Sequence, residues 1–218
     1  MKVVLIHGQN HKGSTYRIGR MLAEKISGEI TEFFLPRDFG EFCTGCTACF
    51  MKGETCCPHY EKLEPINRAM KAFLDHYGYR WMVHRPEKSM FTKQAVCIST
   101  AAGGGMKSTN KDMADSLFFW GIPKIYRYGL AVYATSYSQI KDKIKRKIDL
   151  ETTELADRIR KDHGHVSPGI KTRAWFFILH LAQRKGAVEA DRIYWKEKGW
   201  TGRKRPWKTE HSSQGNEN

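Results

Sequence analysis

The chain has 218 residues, 40% hydrophobic and 12% aromatic, with 37 lysines and arginines against 23 aspartates and glutamates and a formal net charge of +14. This composition excludes a disordered polymer and supports one globular domain with an extension, because enough apolar surface is present to bury a core. The longest apolar stretch, Ala174 to Ala182 interrupted by His180, is too short to span a bilayer. The basic excess at Lys141 to Lys147, Arg158 to Lys161 and Arg203 to Lys208 favours anionic ligands without choosing among phosphorylated cofactors, acidic membrane and nucleic acid.

The first element is the run Val3-Val4-Leu5-Ile6, whose β-branched apolar character predicts a buried parallel strand. It starts at residue 3, leaving no room for a signal sequence, so the expected location is the cytoplasm. The loop Gly8-Gln9-Asn10-His11-Lys12-Gly13-Ser14-Thr15 follows, then Tyr16 to Ile26, with Ile18, Met21, Leu22, Lys25 and Ile26 at helical spacing. Ser14 and Thr15 are the candidate N-caps. A helix N-terminus presents unpaired N–H groups and the positive end of the macrodipole, which suits a phosphate. Gly8 and Gly13 have the G-x-x-x-x-G spacing of a triphosphate loop, but Ser14 stands where that motif needs lysine. A G-x-G-x-x-G dinucleotide signature is also missing. The loop therefore predicts a monophosphate site built from hydroxyls and backbone amides.

Glu29 to Pro36 reads as a second strand closed by proline, with a loop at Arg37 to Gly40. Five of the six cysteines then fall within Cys43 to Cys57. A secreted disulfide scaffold spreads its cysteines along the chain, so metal, cluster or redox use is expected. The spacing Cys43-x-x-Cys46-x-x-Cys49, with Cys56 and Cys57 beyond it, supplies thiolates for one cubane cluster. Zinc and plain redox-labile thiols compete with that reading. Tyr60 to Tyr77 is helix-like, with a break near Pro65.

Gln94 to Thr100 predicts a buried strand ending in Gly103-Gly104-Gly105, with Cys97 as a small apolar filler. Lys107 to Trp120 is a helix, Gly129 to Ser136 a strand and Gln139 to Lys161 a long charged helix. That alternation is the signature of a doubly wound α/β sheet. Asp75, His76, Asp162 and His163 are assigned to surface or packing. From Ser167 the chain turns to a helix rich in Trp and Phe, then to Asp191 to Gly199 and a polar tail. The stretch Trp175 to Leu181, flanked by Lys171, Arg173, Arg184 and Lys185, reads either as a membrane-surface helix or as one packed on its own domain or a second subunit.

The loop at Gly8 to Ser14, the cysteine segment, the Gly103 to Gly105 turn, Trp120-Gly121 and the closing segment Asp191 to Trp200 (DRIYWKEKGW) occur in this order. With them the chain resembles the flavodoxin-like NADPH-dependent FMN reductases, above all the branch that includes the iron–sulfur flavoproteins. The resemblance implies an α/β flavodoxin-like three-layer sandwich over residues 1–165, binding FMN at the carboxyl ends of a parallel sheet. A helical extension over 166–200 and a basic polar tail over 201–218 follow. It further implies a flavin-dependent oxidoreductase passing hydride from NAD(P)H to flavin N5, and electrons on to a quinone, a free flavin or a protein acceptor. In the family's pattern Gly8, Gln9, His11, Gly13, Ser14 and Thr15 surround the FMN phosphate, although Gln9 and His11 stand where the family usually has serine and arginine. Gly103, Gly104 and Gly105 let the backbone approach the flavin ring. Cys43, Cys46, Cys49 and Cys56 are the implied ligands of a [4Fe–4S] cluster, with Cys57 spare. No catalytic side chain is assigned, since hydride transfer to a flavin needs no protein proton shuttle at its central step. A homo-oligomer is expected, and nucleic acid is disfavoured as a partner. A noncatalytic flavodoxin-like electron carrier or binding protein is the alternative reading, with a basic nucleic-acid-binding protein behind it.

One segment departs from the family. Between Pro36 and Gln94 no buried strand is found, although the third strand of a 2-1-3-4-5 sheet is central and the loop after it lies against the flavin. In the family that strand and a Ser-Pro-x-Tyr-like loop lead to a helix resembling Met70 to Asp75. Here Ile66-Asn67-Arg68-Ala69 runs directly into Met70. The expectation is an internal shortening near Ala69, four strands in place of five with Gln94 to Thr100 beside the first, and a flavin pocket lacking one wall.

Overall fold

The computed structural model describes residues 1–8, 12–38, 48–56, 77–185 and 188–208. The expectations for Gln9, His11, Cys43, Cys46, Cys57, the helix-like stretch from Tyr60 and the end of the tail lie outside the described residues. Strands β1 (Lys2–His7) and β2 (Glu29–Phe34) pair in parallel, from Lys2 opposite Glu29 to His7 opposite Phe34. Helix α1 (Ser14–Ile26) makes the crossover that parallel pairing requires. Strands β3 (Gln94–Ala101) and β4 (Lys124–Ala131) form a second parallel pair, crossed over by α2 (Met106–Phe119). The long α3 (Asp142–Asp162) follows, then α4 (Ile170–Lys185) and α5 (Glu189–Glu197).

Strand alternation sorts the core into layers. On one face Val96 and Ile98 of β3 and Tyr126 and Tyr128 of β4 pack beneath Leu22 of α1 and Leu155, Ala156 and Ile159 of α3. Lys25 Nζ donates to Asp149 Oδ1 at 2.6 Å and pins α1 to α3. On the other face Ile6 of β1, Phe33 of β2, Ala95 of β3 and Ile125 of β4 converge on Leu35, Tyr77, Tyr79, Trp120 and Ile122. Each of the four strands thus sends a side chain into the cluster around Tyr77 and Tyr79. Cys97 is buried as expected of a core filler, and burial pushes its thiol up to about 11. Asp162 has the packing role expected of it, accepting from the Tyr126 hydroxyl at 2.8 Å and pairing with Lys124 at 3.1 Å.

The expected single four-stranded sheet is corrected to two parallel pairs, with no hydrogen-bonded ladder between β1 and β3 among the described residues. Side chains bridge the seam. A Cβ placed on Gly19 of α1 would lie 3.8 Å from Leu5 of β1 and 3.9 Å from Ile98 of β3, so α1 rides over both pairs. Other boundaries move as well. The strand expected at Gly129 to Ser136 lies at Lys124–Ala131, because Tyr126, Tyr128 and Leu130 bury one side chain in two against the helices while Tyr133 stands in solvent. The loop expected from Arg37 is a turn of helix at Leu35–Asp38, closed by Asp38 Oδ2 accepting from the Phe34 N–H at 2.7 Å.

The C-terminal helices close a third cluster. Phe176 of α4 and Trp195 of α5 stack at 4.8 Å, with Met82, Phe91 and Trp200 around them. Gly121, at φ +91°, approaches the Phe91 ring so closely that a Cβ would lie 2.6 Å from it, which requires glycine at that turn.

Candidate phosphate and flavin site

Three loops meet at the carboxyl ends of β1, β3 and β4. In the first, Gly13 is extended and caps α1 with its backbone, its carbonyl accepting from the Arg17 N–H at 3.1 Å. Ser14 and Thr15 are therefore not the N-caps expected from their side chains; both lie inside the first turn of the helix. Ser14 is buried there. Thr15 reaches across to β3, its Oγ1 2.7 Å from Thr100 Oγ1.

That hydroxyl pair ties the first loop to the second. Thr100 leads through Ala101 and Ala102 to Gly103, Gly104 and Gly105, which are exposed, and a Cβ at any of the three would meet nothing within 4 Å. Gly105 adopts φ +92°, a left-handed conformation that starts α2, and its carbonyl accepts from the Ser108 hydroxyl at 2.9 Å. The third loop is held to the second by the Val132 N–H, which donates to the Ala101 carbonyl at 2.9 Å. Just beyond, Tyr133 takes the left-handed φ of +50° and is 72% exposed. Left-handed tyrosine is an uncommon conformation, of the kind that marks a constrained position. The Arg17 guanidinium sits 5.7 Å from the Tyr137 ring centroid, reaching from α1 towards the same loop.

The electrostatics divide by burial. His7, the last residue of β1, lies among Tyr16 and Phe34, with ring centroids 4.9 and 4.6 Å away. Burial lowers its pKa against the pull of Glu32, so the ring is neutral at pH 7. Positive charge at this end comes instead from Lys12, whose Nζ lies 5.5 Å from the Tyr16 ring, from Arg17 and from the α1 macrodipole. A helix N-terminus, hydroxyls and a nearby lysine are the groups that hold a phosphate monoester. An open glycine turn admits a planar ring edge-on to the backbone.

Of the residues expected to bind cofactor, Gly8, Gly13, Ser14 and Thr15 lie in or beside the first loop, and Gly103, Gly104 and Gly105 form the second. Thr100, Tyr133 and Arg17 belong to the same end of the molecule and escaped the sequence reading. Thr100 is 85 residues from its partner, and only a strand-end hydroxyl ahead of the glycines marks it. Of the four expected cluster cysteines, two are described: Cys49 packs half-buried against the aromatic cluster, and Cys56 is exposed. Among the described residues no three His, Cys, Asp or Glu side chains converge to hold a metal.

Comparison with protein-family models and with curated proteins finds no match for this chain.

Proposed function

We propose that the chain is a flavodoxin-like, FMN-dependent NAD(P)H oxidoreductase whose phosphate site is the first turn of α1. The observation that carries this reading is the Thr15–Thr100 hydroxyl contact, which draws the loop after β1 and the glycine turn after β3 to one end of the strand layer. Open α/β sheets take their ligands at that end. Ser14, Thr15 and the first-turn amides would hold the phosphate, with Lys12 and Arg17 nearby as cations, and Gly103–Gly105 would lie against the ring. Bound there, FMN supplies the two-electron acceptor that the polypeptide lacks. The protein's own part is to orient the ring, neutralise the phosphate and leave an open side for a nicotinamide. Removing the Ser14 hydroxyl is expected to weaken FMN by about 1–3 kcal/mol, the range for a charge-assisted hydrogen bond. Titration of FMN into wild type and Ser14→Ala measures it, and equal affinities would remove Ser14 from the site.

A noncatalytic carrier is the competing reading, favoured by the unladdered seam between β1 and β3. NADPH oxidation by the FMN-loaded protein separates the two, since a carrier holds flavin without turning over nicotinamide. The cysteine segment carries its own proposal, a [4Fe–4S] cluster on Cys43, Cys46, Cys49 and Cys56. Anaerobically reconstituted protein is then expected to show broad visible absorption and about four irons per chain. Metal-free protein after that treatment assigns the segment to thiols alone.

A further inference from the structure

Helix α4 buries a mixed face that holds Phe176 and carries a second apolar row on the opposite side. Its inner face, marked by Thr172, Phe176, His180 and Gln183, is buried, and His180 Nδ1–H donates to the Trp200 carbonyl at 2.7 Å. At 3.6 residues per turn, Ile170, Phe177, Ile178 and Leu181 project from the opposite side. They are 88%, 52%, 52% and 41% exposed. A helix lying on a globular core ordinarily turns a polar face to water, so packing among the described residues does not account for the second apolar row. Cations accompany that row: Arg184 and Lys185 are exposed at its C-terminal end, while Lys171 Nζ lies 4.4 Å from the Phe118 ring centroid and Arg173 Nε donates to the Pro168 carbonyl at 2.7 Å, and no acidic residue occurs in the helix.

We propose that this face docks on an anionic lipid surface. The apolar row would enter the boundary between headgroups and acyl chains while Arg184 and Lys185 lie among the lipid phosphates. Charge selects this occupant. A second copy would bring its own exposed cations and its own net +14 against the first. A neutral bilayer would leave the cations without counter-charge. An anionic bilayer satisfies the apolar row and these cations together. The helix lies along the surface, because its 16 residues reach only about 24 Å, short of the hydrocarbon core. No described helix is long and apolar enough to cross a membrane. The surface is distinct from the flavin loops, so this proposal stands or falls independently of the cofactor.

The test is sedimentation of the full chain with vesicles of phosphatidylcholine containing phosphatidylglycerol, against vesicles of phosphatidylcholine alone. Partition to the anionic vesicles is expected, weakening as salt is raised. Two variants are compared with wild type after circular dichroism confirms their fold: Phe177→Ser with Ile178→Ser, and Arg184→Glu with Lys185→Glu. Each pair should reduce partition about tenfold or more, the first through lost insertion and the second through lost attraction. The charge pair is fully surface-borne, so it decides the matter even if the apolar pair misfolds. Equal partition to both vesicle types, or anionic binding that neither pair weakens, overturns the proposal. So does a concentration-dependent dimer that the apolar pair abolishes in a protein that ignores vesicles, which would give this face to a second copy.

Discussion

Asp191→Ala is expected to destabilise the folded chain by about 3–5 kcal/mol, the cost of breaking a buried ion pair by removing one partner. Asp191 and Arg85 are 1% and 3% exposed, and the guanidinium bonds both Asp191 Oδ1 and the Cys49 carbonyl. His84 Nδ1 lies 2.7 Å from the other carboxylate oxygen. Removing the carboxylate takes this ion pair from a guanidinium that is almost fully buried. The same junction holds three more contacts: Trp195 Nε1–H donates to the His84 carbonyl, the Tyr194 hydroxyl to the Pro86 carbonyl at 2.7 Å, and Gln183 Nε2 to the Val83 carbonyl at 2.6 Å. The C-terminal helices are therefore fastened to the segment after Tyr79 by these three contacts together with the Asp191 carboxylate, whose arginine partner also holds the Cys49 carbonyl. Urea unfolding measures the loss, and the double change Asp191→Leu with Arg85→Met should recover much of it, because both charges of the buried pair are then replaced by apolar groups. An alanine variant as stable as wild type would show that water enters the junction.

Local signals made the strand–helix alternation readable. The run Val3 to Ile6 and the segment QAVCIST carry continuous apolar β-branched character, and α3 repeats its buried Ile148, Thr152, Leu155, Ala156 and Ile159 at helical spacing. β4 was misplaced because Lys124 and Arg127 interrupt its apolar run, and its period of two becomes visible only once Tyr126 and Tyr128 are counted as core residues. Contacts distant in sequence left no local trace. Arg85 and Asp191 are 106 residues apart, and as an isolated sequence feature Asp191 is an ordinary first-turn acid of α5. The same holds for Thr15 with Thr100: the passage from strand to helix after β1 is readable from the sequence, while the contact that joins it to the glycine turn is not.

The seam between β1 and β3 leads to the last expectation, that flavin is held loosely. In the flavodoxin-like order 2-1-3-4-5 a central strand stands between the two pairs and the loop after it covers one side of the isoalloxazine. Among the described residues each pair keeps its own ladder, and Leu5 and Ile98 each approach Gly19 of α1. The proposed phosphate loop precedes the stretch near Ala69 that the family resemblance implies is shortened, and the glycine turn follows it, so on this proposal two parts of the pocket persist and the third is lost. Stacking of an aromatic wall on a heteroaromatic ring is worth about 1–3 kcal/mol, so inserting a strand and loop between Ala69 and Met70 should tighten FMN by about tenfold to a hundredfold. The natural chain is expected to lose flavin on gel filtration and to oxidise NADPH slowly. Fluorescence titration of FMN into both proteins measures the difference. Stoichiometric flavin that survives purification of the natural chain, with brisk NADPH oxidation, would refute the missing wall and place another segment of this protein against the ring.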